Sequence, residues 1–177
     1  MESSSGKKED NNYRNYRFIP LASYSPSYLM NNLSSNDGES FVFANTSESG
    51  QPKAIIHSKE MLDGKGETSS PQVFQWKDQS ECFCIKYVKA QDTWYLIICT
   101  AKSCQIYNHN ATRQLVTVES KKKMGDGKIN FFTSASKGIE KGSGQEFIAV
   151  GTSSGEVHSV MINGGSFAKD LGFQMVD

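Results

Sequence analysis

A pentapeptide late in the chain has the spacing of a serine-hydrolase nucleophile. It reads Gly151-Thr152-Ser153-Ser154-Gly155, which matches the Gly-x-Ser-x-Gly pattern. A hydrolase needs a strand before that serine and a helix after it, so that a sharp turn presents the hydroxyl. Residues 156–160 instead alternate like a strand. We therefore predict a tight hairpin between two strands, with a serine hydrolase built on this turn as the alternative.

Cysteine and histidine side chains could on paper form a zinc site. The candidates are Cys82, Cys84, Cys99, Cys104, His57, His109 and His158. Structural zinc generally takes paired ligands two to four residues apart on turns. Cys82 and Cys84 are two apart on a predicted strand, so we expect both on one face, packed as small hydrophobic residues. We predict reduced, buried thiols, structural or solvated roles for His109 and His158, and no metal or other cofactor.

Five side chains are candidates for a partner-binding surface: Trp76, Lys102, Lys121, Lys122 and Lys123. Trp76 has polar neighbours, and aromatic residues dominate the energetics of protein interfaces. The three consecutive lysines follow a predicted fourth strand, at the same end of its sheet as the turn that carries Lys102. That run indicates a solvated loop, or a surface for an acidic partner. A basic nucleic-acid-binding surface at the same lysines is a further alternative.

Composition narrows the function classes. The 177 residues contain 19 Lys and Arg against 19 Asp and Glu, so the chain has no formal net charge, which argues against dedicated nucleic-acid binding. The longest unbroken apolar run covers residues 94–99, whereas a membrane-spanning helix needs roughly 20 apolar residues. The sequence has no nucleotide-binding glycine loop and no His-Glu-x-x-His motif. Because these motifs are missing, we expect a non-enzymatic protein. The first residues lack the apolar stretch of a secretory signal, so we expect a cytoplasmic location.

Short apolar runs separated by Gly, Ser, Asn and Asp predict an all-β fold with little helix. Residues 1–16 are polar and predict a disordered tail, which leaves 17–177 as one domain. One set of predicted strands covers 82–88, 94–99, 103–107 and 114–118. The next set covers 129–132, 147–150, 156–162 and 167–173. An earlier, poorer unit has strands at 41–46 and 53–57.

The strand sets recur at a fixed interval. Thr100 and Thr152 occupy the same turn of successive sets, 52 positions apart, and Thr46 lies 54 positions before Thr100. Four-stranded units at about this spacing are typical of β-propeller blades, although a β-sandwich also has short strands and turns. We predict a partial propeller of about three four-stranded antiparallel blades, the first irregular.

Several short segments resemble the WD-repeat β-propeller family, in matching order and approximate spacing. They are Arg-Phe-Ile-Pro-Leu at 17–21, Asn-Asn-Leu-Ser at 31–34, His-Ser-Lys-Glu at 57–60, Ser-Pro at 70–71, Gln-Ile-Tyr at 105–107, and residues 147–157. The resemblance covers residues 17 to about 162, without the usual Trp-Asp ending of the third strand. It implies a non-enzymatic scaffold that binds other proteins in the cytoplasm, with a link to cilia, and it brings no catalytic residue.

The length predicts an open arc of blades. A WD propeller needs about seven blades of roughly 40 to 45 residues, and this sequence has material for about three. Terminal repeats need a covering surface, so we expect self-association, or the missing blades of a longer chain, at the ends of the arc. The segment 17–21 would then lack the strand that it pairs with in a closed propeller.

Overall fold

Three antiparallel sheets make up most of the described chain. The computed structural model describes residues 32–45, 51–62, 70–120, 130–163 and 167–175. The predicted tail at 1–16 and the segment 17–21 lie outside these residues. One four-residue helix is the only helix in the described ranges, so the all-β prediction with little helix is confirmed.

Each sheet has four strands in meander order, so that strands consecutive in sequence are hydrogen-bonded neighbours. The first sheet contains β1 (Leu33–Ser35), β2 (Ser40–Asn45), β3 (Lys53–Ser58) and β4 (Gln72–Phe74), with helix α1 (Lys59–Leu62) after β3. The middle sheet contains β5 (Cys82–Ala90), β6 (Thr93–Thr100), β7 (Ser103–Asn108) and β8 (Gln114–Glu119). The third sheet contains β9 (Phe132–Ile139), β10 (Glu146–Thr152), β11 (Glu156–Asn163) and β12 (Phe167–Met175).

The middle sheet is buried on both faces. Leu96 and Ile98 of β6 belong to a cluster shared with the first sheet, whereas Ile97 and Cys99 belong to a cluster shared with the third sheet. All four side chains are 0% exposed. A strand covered on both faces needs apolar residues at successive positions, because its alternating side chains enter two cores. This explains the continuous apolar run at 94–99.

The first strands of the three sheets lie side by side. Strand β5 contacts β1 on one side and β9 on the other, and the last strands β8 and β12 also touch. The sheets therefore stack face to face, with equivalent strands aligned. None of the three sheets closes on itself.

Most predicted strands are confirmed within one or two residues, but the first strand of the third sheet is not. It was expected at 129–132, and β9 instead begins at Phe132. The two residues before β9 bind the turn around Ser153. The Phe131 N–H donates to Ser153 Oγ at 3.2 Å, and the Asn130 side chain accepts a hydrogen bond from the Ser153 hydroxyl. These residues hold a turn, so the ladder starts only after them.

The hairpin at residues 151–155 is confirmed. Gly151 of β10 pairs with Val157 of β11, and the Gly155 N–H donates to the Thr152 carbonyl at 3.2 Å. Gly155 has φ of 83°, a left-handed conformation that glycine adopts without steric cost. A strand, and not a helix, follows Ser153.

Across the described ranges, no helix combines the length and apolar character that crossing a membrane requires.

Loss of side-chain volume in the middle sheet should destabilise the whole chain. Replacing Ile97 with Ala leaves a cavity between the middle and third sheets, so we expect the free energy of unfolding to fall by about 2–5 kcal/mol. Urea denaturation followed by far-ultraviolet circular dichroism measures the change. Val73→Ala is the matched control, because Val73 is 55% exposed on β4 and its truncation should cost less than about 0.5 kcal/mol. Equal losses in the two variants would contradict the double burial of β6.

Candidate functional site

Loops and turns gather at one end of the middle sheet, where β5 begins and the β6–β7 turn carries Lys102. Cys82 pairs with Thr100 across this end, and Ser103 pairs with Glu119. We call it the turn end. The chain leaves β8 here, as expected for the connection that contains Lys121, Lys122 and Lys123. Those three lysines lie outside the described residues, so their part in a binding surface stays a prediction.

A cavity of about 460 Å³ opens at the turn end, on the face of the middle sheet that is turned toward the first sheet. We call it the turn-end cavity. Strands β7 and β8 form its floor, and the loop that enters β5 forms one wall. Its lining consists of Lys77, Asp78, Lys102, Ser103, Gln105, Thr117 and Glu119. Of the predicted surface residues, Lys102 is therefore at the site.

Hydrogen bonds fix the floor of the turn-end cavity. Gln105 is 1% exposed, and its Oε1 accepts hydrogen bonds from the Tyr107 hydroxyl at 2.5 Å and the Lys77 N–H at 3.2 Å. Its Nε2 donates to Ser103 Oγ at 3.1 Å. A buried amide with partners on both its oxygen and its nitrogen has one stable orientation. The floor is therefore polar and rigid.

Asp78 lies in the loop that forms the wall, and its carboxylate connects this loop to the β6–β7 turn. Its Oδ1 accepts from the Ser80 N–H at 3.0 Å and the Ser80 hydroxyl at 2.7 Å. Its Oδ2 accepts from Thr100 Oγ1 at 2.9 Å and Ser103 Oγ at 2.5 Å. Burial alone would raise the pKa of Asp78, but the hydrogen bonds from Ser103, Ser80 and Thr100 together hold that pKa below its usual value. The carboxylate is therefore ionised, and both of its oxygens are occupied.

The same polar arrangement recurs in the third sheet. Asn130 lies 52 positions after Asp78, the interval that also separates Thr100 from Thr152. Asn130 Oδ1 accepts from the Ser154 N–H at 3.1 Å, so it too binds the turn between the second and third strands of its sheet. Sequence reasoning missed this pair. A comparison of the repeats at polar as well as apolar positions would have found it.

The backbone repeats this connection. The Ala101 N–H donates to the Glu81 carbonyl at 3.0 Å in the middle sheet. In the third sheet, the Ser153 N–H donates to the Phe131 carbonyl at 2.9 Å. In both sheets the turn after the second strand is therefore fixed to the loop before the first.

Trp76 is in the core, so its predicted place on a binding surface is wrong. The side chain is 0% exposed within the cluster shared by the first and middle sheets. Its Nε1 donates to the Ser80 carbonyl at 2.9 Å, which satisfies the polar edge of the ring. The neighbours Gln75 and Lys77 are exposed, as their polarity suggested, but the ring points inward. Trp76 holds the wall loop against the sheets.

Three charged side chains lie on the rim of the turn-end cavity. Lys77, Lys102 and Glu119 are exposed, and no ion pair among the described residues includes any of them. Three other lysines in the described ranges have carboxylate partners, whereas Lys53, Lys86 and Lys141 form no ion pair there either. These pairs are Lys59 with Glu39, Lys89 with Asp37, and Lys137 with Glu146. The rim therefore offers two ammonium groups for contact with another molecule.

Cys82 and Cys84 do not share a face, which corrects the sequence-based prediction. The register between β5 and β6 shifts between these two residues, because one extra residue, Phe83, forms a β-bulge. Cys82 consequently packs in the cluster toward the first sheet, and Cys84 in the cluster toward the third.

The four thiols are free and buried, as predicted. Burial raises the pKa of Cys82 to about 12, and the Cys99 and Cys104 sulfurs are 3.8 Å apart within hydrogen-bonding reach. The Cys82 thiol therefore stays protonated, and all four cysteines pack as core residues. Within the described ranges, no group of three or more Cys, His, Asp and Glu side chains is arranged to hold a metal ion.

The histidines do not approach the turn-end cavity lining. His57 is stacked on Phe43 with ring centroids 5.8 Å apart, and burial lowers its pKa. His158 is 0% exposed beside Phe132, whereas His109 lies exposed in the turn after β7. Their placement agrees with structural and solvated roles.

Comparisons with known protein families, curated proteins and solved structures give no match to this chain. The site is therefore interpreted from its own geometry.

The Asp78 hydrogen bonds should make stability depend on pH. A carboxylate whose folded pKa is depressed stabilises the fold above its unfolded pKa of about 3.9, and this contribution is lost as pH falls through the folded pKa. We expect Asp78→Asn to lower the free energy of unfolding by about 1–3 kcal/mol at pH 7. The difference from the unaltered chain should shrink progressively below about pH 4.

Urea titrations at pH 7 and pH 3 measure both effects. Asp92→Asn is the control, because Asp92 is exposed in the β5–β6 turn, where asparagine also tolerates the φ of 57°. It should change stability by less than about 0.5 kcal/mol at either pH. A loss in Asp78→Asn that is the same at both pH values would show that the charge of Asp78 has no such role.

Proposed function

We propose that this chain is a WD-type β-propeller unit that works as a non-enzymatic protein-interaction platform in the cytoplasm. The observation that carries the proposal is the recurrence of one structural unit. Three four-stranded meander sheets stack with their first strands side by side, and Asp78 and Asn130 fix the same turn at a 52-residue interval. Repeated four-stranded sheets of this kind are the building units of propellers.

The turn end is the surface that such a platform would present. Rigid sheets that carry fixed loops are a common way to position binding residues. Here the wall loop is held by Trp76 and Asp78, and the β6–β7 turn is held by Thr100. Partner residues would meet a preformed surface, which lowers the entropic cost of binding.

The surroundings of Ser153 favour this proposal over the hydrolase alternative. The hydroxyl donates to Asn130 Oδ1 at 3.3 Å and accepts from the Phe131 N–H at 3.2 Å. A nucleophilic serine is instead activated by a nearby base, in most cases a histidine. The serine side chain thus has a role in the turn.

The stacked sheets also suggest how further protein could be added. Repeat units bury their faces against neighbours on each side, and the middle sheet has a neighbour on both. We expect the first and third sheets to accept either a second copy of this chain or the remaining blades of a longer one.

Two measurements on the purified chain test the proposed function. The first is labelling with a fluorophosphonate probe, which reacts with activated serines and should leave Ser153 unlabelled. The second is capture of binding proteins from a cytosolic extract, followed by reconstitution with purified components. We expect at least one captured protein to form a stable complex of defined stoichiometry by light scattering.

Ser153→Ala is the control for the labelling measurement. Stoichiometric labelling that this substitution abolishes would contradict the proposal and favour the hydrolase. Failure of every captured protein to bind again in purified form would also contradict it.

A further inference from the structure

We infer that the turn-end cavity binds an acidic peptide segment of a partner protein. The inference rests on the proposed function and specifies which chemistry the platform recognises. It depends on three properties of the cavity: its size, its fixed polar floor, and the exposed lysine ammonium groups on its rim.

Size and shape suit a peptide. A volume of about 460 Å³ is within the roughly 300–1,000 Å³ of small-molecule sites, but those sites are mostly apolar, whereas this cavity is lined by polar and charged side chains. The floor runs across the neighbouring strands β7 and β8, and Thr117 and Glu119 project from β8 on the same face as Ser103 and Gln105. The lining therefore suits polar or charged side chains of an extended segment.

The floor is prepared before any ligand binds. Gln105, Ser103 and Asp78 bind one another or their neighbours, so the side-chain oxygen atoms of these three residues already have donors. Asp78 accepts four hydrogen bonds, and none comes from a lysine side chain. The ammonium groups on the rim are therefore left for acceptors that the partner supplies.

The exposed charges on the rim are two lysines and one glutamate, which is an excess of one positive charge. Lys77 and Lys102 are exposed and form no ion pair in the described part of the chain. Carboxylates are the acceptors that match them. Glu119 on β8 repels a carboxylate, so acidic side chains of the partner should face the lysines and turn away from β8.

A peptide fits this lining better than a nucleic acid. Nucleic-acid affinity comes mainly from many cations that neutralise successive phosphates. Among the described residues, the lining has two basic side chains, Lys77 and Lys102, against two acidic ones, Asp78 and Glu119, and no aromatic ring for a base to stack on. A mixed lining of this kind suits spaced carboxylates on a polar backbone.

Fluorescence anisotropy of fluorescein-labelled octaglutamate with the full chain tests the inference. Lys77→Gln and Lys102→Gln should each weaken binding roughly two- to fivefold, the size expected for exposed ion pairs. Glu119→Gln should tighten binding by about twofold, because it removes a repulsive charge. All of these effects should diminish as salt is added.

Lys141→Gln is the matched control, because Lys141 is exposed in the β9–β10 turn at the opposite end of the sheets. It should leave the affinity unchanged. Circular dichroism checks that each variant is folded. A neutral Gly-Ser octapeptide should bind too weakly to measure, and an eight-nucleotide thymidine oligomer should bind more weakly than octaglutamate.

Any of the following results would overturn the inference. One is that Lys77→Gln and Lys102→Gln leave the affinity for octaglutamate unchanged. A related result is that octaglutamate binding is lost only when Lys121, Lys122 and Lys123 are all replaced by Gln. Another is weaker binding in Glu119→Gln. A further one is tighter binding of the oligonucleotide through the same two lysines. If a reconstituted partner complex survives while octaglutamate does not bind, the peptide chemistry is wrong and the interaction platform stands.

Discussion

Burial of the middle sheet on both faces is the constraint on which the remaining structure depends. Neighbouring side chains of β6, such as Leu96 and Ile97, enter separate cores, and each core is completed by a different outer sheet. A single sheet with two apolar faces is not stable in water, so the outer sheets are required for the middle one to form. Stacking in turn aligns the first strands of all three sheets and collects the turns of the middle sheet at one end.

Polar contacts then convert that stack into a defined surface. Asp78 in the middle sheet and Asn130 in the third each connect the loop before the first strand to the turn after the second. Since Lys77 precedes Asp78 and Lys102 lies in the connected turn, the same hydrogen bonds that hold the loop also fix the backbone positions of both rim lysines. The repeat that stabilises the fold therefore also positions the candidate site.

Sequence patterns predicted the part of the fold that hydrophobic alternation controls. The strands of the middle sheet and the hairpin at 151–155 were found because apolar runs and glycine turns are local signals. The three-residue strands β1 and β4 are too short to show a period. Trp76 was wrongly predicted to lie on the surface because its sequence neighbours are polar. The direction of the indole ring depends on tertiary packing, which those neighbours do not reveal. The cavity itself was not predicted, since Asp78, Gln105 and Thr117 come together only through the pairing of β7 and β8 and the fold of the wall loop.

Native-state hydrogen exchange of individual backbone amides tests the central role of the middle sheet most directly. Amides of β6, between Tyr95 and Cys99, lie in a fully buried stretch of strand and are bonded to strands on both sides. They should exchange only through global unfolding, with the same free energy that denaturant titration gives for the whole chain. Amides of the short edge strand β4 should exchange much faster, through local opening. Exchange of the β6 amides as rapid as that of β4, in a chain that is otherwise folded, would contradict the account.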